Sequence, residues 1–162
     1  MKKERTSTIL TLLVGLLIIA LVSSYLSIIV TSTWVSELPY SIKFKVNGYT
    51  QENAIVICSG KNLEDTSLCL NAFVKGVYNY VPTDDNEILD FDKIISGGND
   101  CRGWNYIYES SFNQLGFKTK RIIVDVLREE NTQYKHIFLI ASNENGWCSL
   151  DQTDVNCFRY IR

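Results

Sequence analysis

A run of 22 residues without a charged side chain, Ile9–Val30, constrains this chain more than any other stretch of it. At about 1.5 Å per residue, a helix of that length crosses roughly 30 Å of hydrocarbon. Lys2, Lys3 and Arg5 precede it against Glu4 alone, so the positive-inside rule keeps the N-terminus cytoplasmic and sends the rest of the chain outside. Trp34 and Tyr40 come next, where amphipathic rings suit a membrane interface. The competing reading is a cleaved signal peptide. Against it, the run exceeds the roughly 7–15 residues of a signal h-region, and no small-x-small site closes it cleanly, although Ser23-Ser24-Tyr25 interrupts it. The expected organisation is a cytoplasmic tail over 1–8, a transmembrane anchor over 9–30, a linker over 31–39 ending at Pro39, and one extracytoplasmic domain over 40–162.

About 125 residues outside the membrane suffice for one core. The formal charge is −2 overall, and the +2 of residues 2–5 leaves about −4 for the external part. No Lys/Arg cluster follows the anchor, so nucleic acid is not an expected partner.

The five cysteines are Cys58, Cys69, Cys101, Cys148 and Cys157. An exported domain keeps disulfides, and an odd count leaves one thiol over. Cys58 and Cys69 bracket a short polar loop, as do Cys148 and Cys157. Pairing by proximity joins them so and leaves Cys101 free; four cysteines allow three pairings, so proximity is a bet between them. A zinc site fits poorly: the spacings are too wide for a knuckle, and His136 is the single histidine. No metal and no cofactor are expected.

Along the domain, Tyr40–Val46 alternates apolar and polar residues and reads as a half-buried strand. Asn47-Gly48 is a turn signal, and Ala54–Cys58 a second apolar run. Within Leu63–Tyr80, Leu70, Phe73, Val74, Val77 and Tyr78 recur at helical spacing, with Pro82 as a stop. Thr83–Asp92 is acidic and loop-like. Gly97-Gly98-Asn99-Asp100 then breaks the chain before Cys101. From there Trp104, Ile107, Tyr108 and Leu115 share a helix face with Phe112 beside them, and Gly116 ends the helix. Ile122–Leu127 alternates as a strand, and Glu129–Thr132 is a polar turn. His136–Ala141 is the next strand, Asn143–Gly146 a hairpin turn, Trp147–Asp151 the returning strand and Phe158–Ile161 a short last one.

Three residues in this order can make a nucleophile, its base and the group that orients the base. Cys101 opens a helix, whose N-terminal partial charge and free N–H groups lower the cost of a thiolate and can receive an oxyanion. Gly97-Gly98 allows close approach of backbone to a substrate carbonyl. His136 starts an apolar strand on the face of Phe138 and Ile140, and a polar ring there needs a partner. Asp151, at the end of the neighbouring strand, can bond its second nitrogen; Asp125 and Asp154 are runner-up acids. The plainer alternatives are a buried inert thiol, a structural histidine and a turn-initiating aspartate.

The ordered set Gly98-Asn99-Asp100-Cys101, a helix ending Leu115-Gly116-Phe117, His136-Ile137-Phe138-Leu139, and Gly146-Trp147 leading to Leu150-Asp151-Gln152-Thr153 resembles the transglutaminase-like superfamily of papain-type cysteine enzymes. The helix carrying Phe73-Val74 and Tyr78–Tyr80 resembles the one that precedes the cysteine there, so the likeness covers roughly residues 63–162. The resemblance implies an α+β, papain-like core with a helix packed on an antiparallel sheet, and a triad of Cys101, His136 and Asp151. It also implies acyl transfer from an amide through a thioester, to water or to an amine. Asn99 is the candidate for a second oxyanion donor. Arg102-Gly103-Trp104 departs from the small or acidic residues usual after the cysteine and brings a bulky base toward the mouth.

The leading expectation is therefore a membrane-anchored extracytoplasmic cysteine peptidase, amidase or acyltransferase acting on a peptide or protein. The alternatives are an idle module that holds a peptide or a membrane partner protein, and a disulfide-stapled scaffold without chemistry.

Overall fold

A computed structural model describes residues 17–24, 38–84, 88–127 and 133–160. The chain divides into two compact units, Met1–Pro39 and Tyr40–Arg162. In the first, residues 17–24 form helix α1 and are exposed. The rest of the anchor expected over 9–30 lies outside the described residues. Among those described, no helix is long and apolar enough to cross a membrane.

The second unit runs α2 (Tyr40–Asn47), α3 (Gln51–Cys58), α4 (Leu63–Val77), α5 (Phe91–Gly97), α6 (Cys101–Gln114), then β1 (Lys118–Leu127), β2 (Gln133–Asn143), β3 (Gly146–Asp151) and β4 (Asp154–Arg159). It is an α+β unit: the strands form one antiparallel sheet in the order β1-β2-β3-β4, and α4 and α6 pack against it.

The segment expected as a strand, Tyr40–Val46, is a helix, and the second apolar run, Ala54–Cys58, lies in another. Tyr40–Val46 alternates, yet only Phe44 of its apolar residues is fully buried, while Ile42 and Val46 stay exposed. One anchor in the core fixes α2, and the alternation is incidental. In α3, Thr50 caps the helix by accepting from the Asn53 N–H at 3.2 Å, and Ala54 and Cys58, four residues apart, take the buried stripe. The acidic stretch read as a loop over Thr83–Asp92 is without helix or strand at its described residues up to Asp90. Its last two residues open a helix, α5, which Asp90 caps and whose face Phe91 and Ile94 bury. The polar turn expected over 129–132 lies outside the described residues.

The expected helix after Gly98 and the strands at Ile122–Leu127, His136–Ala141 and Trp147–Asp151 are present. The last strand, expected over Phe158–Ile161, runs over Asp154–Arg159 because it pairs with β3 across the two-residue turn at 152–153. Trp104, Ile107, Tyr108 and Phe112 of α6 are fully buried, and Gly116 ends the helix at φ 83°. On the sheet, Leu139 and Ala141 oppose Leu150 and Cys148, and these four make the inner face. Both expected disulfides are formed, Cys58–Cys69 between α3 and α4 and Cys148–Cys157 between β3 and β4. Cys101 is free.

Candidate active site

Cys101 begins α6 because Asp100 caps it, accepting the Arg102 N–H at 2.9 Å. The chain reaches this cap through Gly98, at φ 84°, where a Cβ would meet the Asn79 carbonyl oxygen at 2.6 Å. Residues 79–81 lie beside Gly98-Asn99: the Asn99 N–H donates to Asn79, and the Val81 N–H to Asn99. The close approach that glycine permits is thus used by the chain itself.

Asn99 is buried, and its Oδ1 accepts from the Asp100 and Gly103 N–H groups at 3.0 and 3.1 Å. Gly103 leaves room for it; a Cβ there would meet the amide at 2.3 Å. With Oδ1 committed to the helix start, Nδ2 is the donor Asn99 could offer an oxyanion. Arg102 does not stand at the mouth. Its guanidinium turns to the Asp100 carboxylate at 2.9 Å and donates to the carbonyls of Thr83 and Asp84.

His136 and Asp151 meet. Nε2 lies 2.8 Å from Oδ1 and 3.0 Å from Oδ2 of Asp151. An ionised carboxylate only accepts, so Nε2 carries the proton of the neutral ring, and Nδ1 holds the lone pair of a base. The contact is diagonal: β3 pairs with β2 no further than Leu139↔Leu150, and His136 lies beyond that end. The ring is about one-fifth exposed and the carboxylate nearly half.

The free stretch of β2 receives the start of α6. The main-chain N–H of Ile137, next to His136, acts on the Cys101 sulfur in the sense that favours a thiolate. Asn105, one turn on, donates through Nδ2 to the carbonyl oxygens of Cys101 and Ile137, at 2.8 and 2.7 Å. The start of α6 is therefore tied to the residue after His136.

The ionisation of Cys101 runs opposite to the sequence expectation. Burial pushes the Cys101 thiol up, and the charge of Asp100 adds to this. The Ile137 N–H, its own N–H and Arg102 pull it down without prevailing. Desolvation outweighs the helix terminus. The resting group is a thiol, and ionising it near neutrality needs a base.

Sequence reasoning missed the residues that hold the acid. Gln152, at φ 48°, occupies the two-residue turn between β3 and β4, in a conformation costly for a residue with a Cβ. The Tyr108 hydroxyl donates to its carbonyl at 2.7 Å, and the Tyr78 hydroxyl to its Oε1 at 2.5 Å. Asn71 donates to the Tyr108 hydroxyl at 3.1 Å. Burial pushes both phenols up, so both stay protonated donors. The Tyr78 ring packs on Trp104 at 5.1 Å, and its hydroxyl feels the charge of Asp151. The spacing Cys101, Asn105, Tyr108 (i, i+4, i+7) was the signal to find: one helix face whose polar atoms point at the sheet. Nothing local marks Gln152.

A cleft of about 300 Å³ opens at the other end of the sheet, lined among others by Glu64, Asn145, Phe158 and Arg159. It is remote from Cys101, and no step of the chemistry is assigned to it. Among the described residues, no cluster of His, Cys, Asp and Glu could hold a metal ion. No protein-family model matches the chain, and no curated protein matches it.

Proposed function

We propose that this protein is a transglutaminase-like cysteine hydrolase, a peptidase or amidase, or an acyltransferase, working through a thioester on Cys101. The observation that carries the reading is the His136–Asp151 pair: Nε2 bonded to both carboxylate oxygens, with Nδ1 left as base, on the strand that the helix opened by the free Cys101 meets through Asn105. The α+β arrangement, with the cysteine helix packed on an antiparallel sheet, is consistent with a papain-like core.

His136 Nδ1 takes the thiol proton as sulfur attacks the amide carbon; a C–S bond forms and the carbonyl electrons move to oxygen. The Cys101 N–H and Asn99 Nδ2 are the proposed donors to that oxyanion. As the oxyanion collapses, the C–N bond breaks and the amine leaves with the imidazolium proton. Water, or an acceptor amine, then attacks the thioester, giving its proton to Nδ1. The C–S bond breaks and the proton returns to sulfur. Asp151 holds the tautomer and stabilises the imidazolium throughout.

The location follows the same reading: anchored through residues 9–30, N-terminus cytoplasmic, domain outside, acting on a peptide or protein there. Two disulfides in a domain of this size support an oxidising compartment.

One observation favours a second reading. A thiol pushed up by burial suits an idle module that only holds a peptide or a membrane partner. Iodoacetamide decides between them, because Cys101 is the one cysteine outside a disulfide. For an enzyme, alkylation at pH 7 is fast and falls about 100-fold in His136→Ala. Cleavage of a peptide library, lost in Cys101→Ser, completes the test. A thiol whose alkylation ignores His136 overturns the hydrolase.

A further inference from the structure

Helix α6 carries more of the site than its nucleophile. Cys101, Asn105 and Tyr108 lie on one face of it, and each reaches a different part of the sheet edge. Asn105 bonds the carbonyl of Ile137, the residue after His136, at 2.7 Å. Tyr108 bonds the carbonyl of Gln152, the residue after Asp151, at 2.7 Å. We infer that Asn105 and Tyr108 are positioning residues: two struts from the cysteine helix that set the His136 strand and the Asp151 turn in register with the sulfur. The inference rests on the reading of Cys101, His136 and Asp151 as a catalytic set.

Three observations support it. First, both side chains are essentially fully buried, and the donors Asn105 Nδ2 and the Tyr108 hydroxyl each have a defined partner there, while Asn105 Oδ1 is left without one. Second, each bond goes to backbone, so it fixes the path of the chain and not the choice of a neighbouring side chain. Third, the Tyr108 bond falls on the one described non-glycine residue with positive φ. A turn held in a costly conformation relaxes when its restraint is removed. Asp151 immediately precedes it, so relaxation there moves the carboxylate away from Nε2. Asn71, donating to the Tyr108 hydroxyl, leaves that hydroxyl's own proton for Gln152.

A structural role alone would lower stability and leave the imidazole as it was. The single histidine makes the difference readable. Nitrogen-15 NMR of the imidazole in the full chain, at a pH where the ring is neutral, reports which nitrogen carries the proton. In the wild type, the proton sits on Nε2. In Tyr108→Phe, which keeps the ring and its packing, it is shared between Nε2 and Nδ1. Alkylation of Cys101 at neutral pH slows about tenfold, a fraction of the roughly 10⁴-fold that a fully wrong tautomer costs. At a pH high enough to ionise the thiol without a base, the two rates converge.

Asn105→Ala is read the same way and is expected to slow neutral-pH alkylation by a similar factor while its tautomer stays on Nε2, because its strut holds the strand and not the acid. Variants with wild-type tautomer and wild-type alkylation overturn the struts. So does loss of near-UV circular dichroism in both variants, which would assign the bonds to folding. A wild-type ring protonated on Nδ1, or an unreactive wild-type thiol, removes the proposed function instead.

Discussion

The layer of short helices and the strip where α6 meets the ends of β2 and β3 are held by different forces. The helical layer is packed apolar surface. Phe44 and Phe73 meet edge to face at 5.1 Å, Tyr49 and Phe91 close around them, and Cys58–Cys69 ties α3 to α4. The strip is built from directed polar bonds: Asn105 to Ile137, Tyr108 and Tyr78 to Gln152, His136 to Asp151. Apolar packing tolerates small adjustments without a change of chemistry, whereas a hydrogen bond aimed at a ring nitrogen does not. Damage to the first region should therefore appear in stability, and damage to the second in reactivity.

Asp151→Asn gives the largest separation of the two. The amide can present its N–H to Nε2, which puts the proton on Nδ1 and leaves the proposed base without its lone pair. Alkylation and hydrolysis should fall by about 10³–10⁴, with the chemical denaturation midpoint nearly unchanged because the carboxylate is half exposed. A variant that loses stability and keeps reactivity would reverse the comparison.

Phe73→Ala tests the other side. It empties the centre of the aromatic cluster and should cost about 3–5 kcal/mol in denaturant unfolding. Cys101 alkylation, measured where the variant is still folded, should stay near the wild-type rate.

The disulfides sharpen the contrast, since they close loops of similar length, with sequence separations of 11 and 9. Chain-entropy arguments assign them nearly equal stabilisation, about 2–4 kcal/mol each. Replacing Cys58 and Cys69 by alanine should lower stability by that amount and spare alkylation. Replacing Cys148 and Cys157 should lower stability equally and also slow alkylation several-fold, because Asp151 and Gln152 lie inside the loop it closes. Equal effects of the two pairs on alkylation would dissolve the distinction.

The two regions also differ in how far they could be read from sequence. Around the strip, proximity pointed to Cys148–Cys157, and the α6 face and the hairpin at Asn143–Gly146 were legible from strong local signals. So were Cys101, His136 and Asp151 as candidates, since an odd cysteine and a single histidine leave few choices. The layer was not. In α2, an accidental alternation outweighed the single buried Phe44, and in α5 the neighbouring acids hid a three-residue apolar stripe at Phe91, Ile94 and Ile95. Within the strip, two things escaped. The struts on Gln152 depend on a turn conformation with no sequence mark. The state of Cys101 depends on desolvation, which only the packed chain determines.

Asp100 has the smallest effect and belongs to both regions at once. It caps α6 and pairs with Arg102, whose guanidinium ties down Thr83 and Asp84. Burial raises its carboxyl, but the hydrogen bonds from Arg102 and Thr83, with the Arg102 charge, more than reverse this and hold it below the ordinary carboxylate value. A carboxyl held low in the folded chain contributes stability that is fully present above its unfolded pKa, about 4, and is lost as pH falls through the lower folded value. Asp100→Ala should cost about 1 kcal/mol at neutral pH through the cap and should flatten the acid limb of the stability profile below about pH 4. The same charge, after burial, pushes the Cys101 thiol up. In a His136→Ala background, where no base assists, removing it should move the midpoint of the alkylation–pH curve downward. One substitution would then weaken the fold and ease thiol ionisation, and a midpoint that does not move would place Asp100 with the scaffold alone.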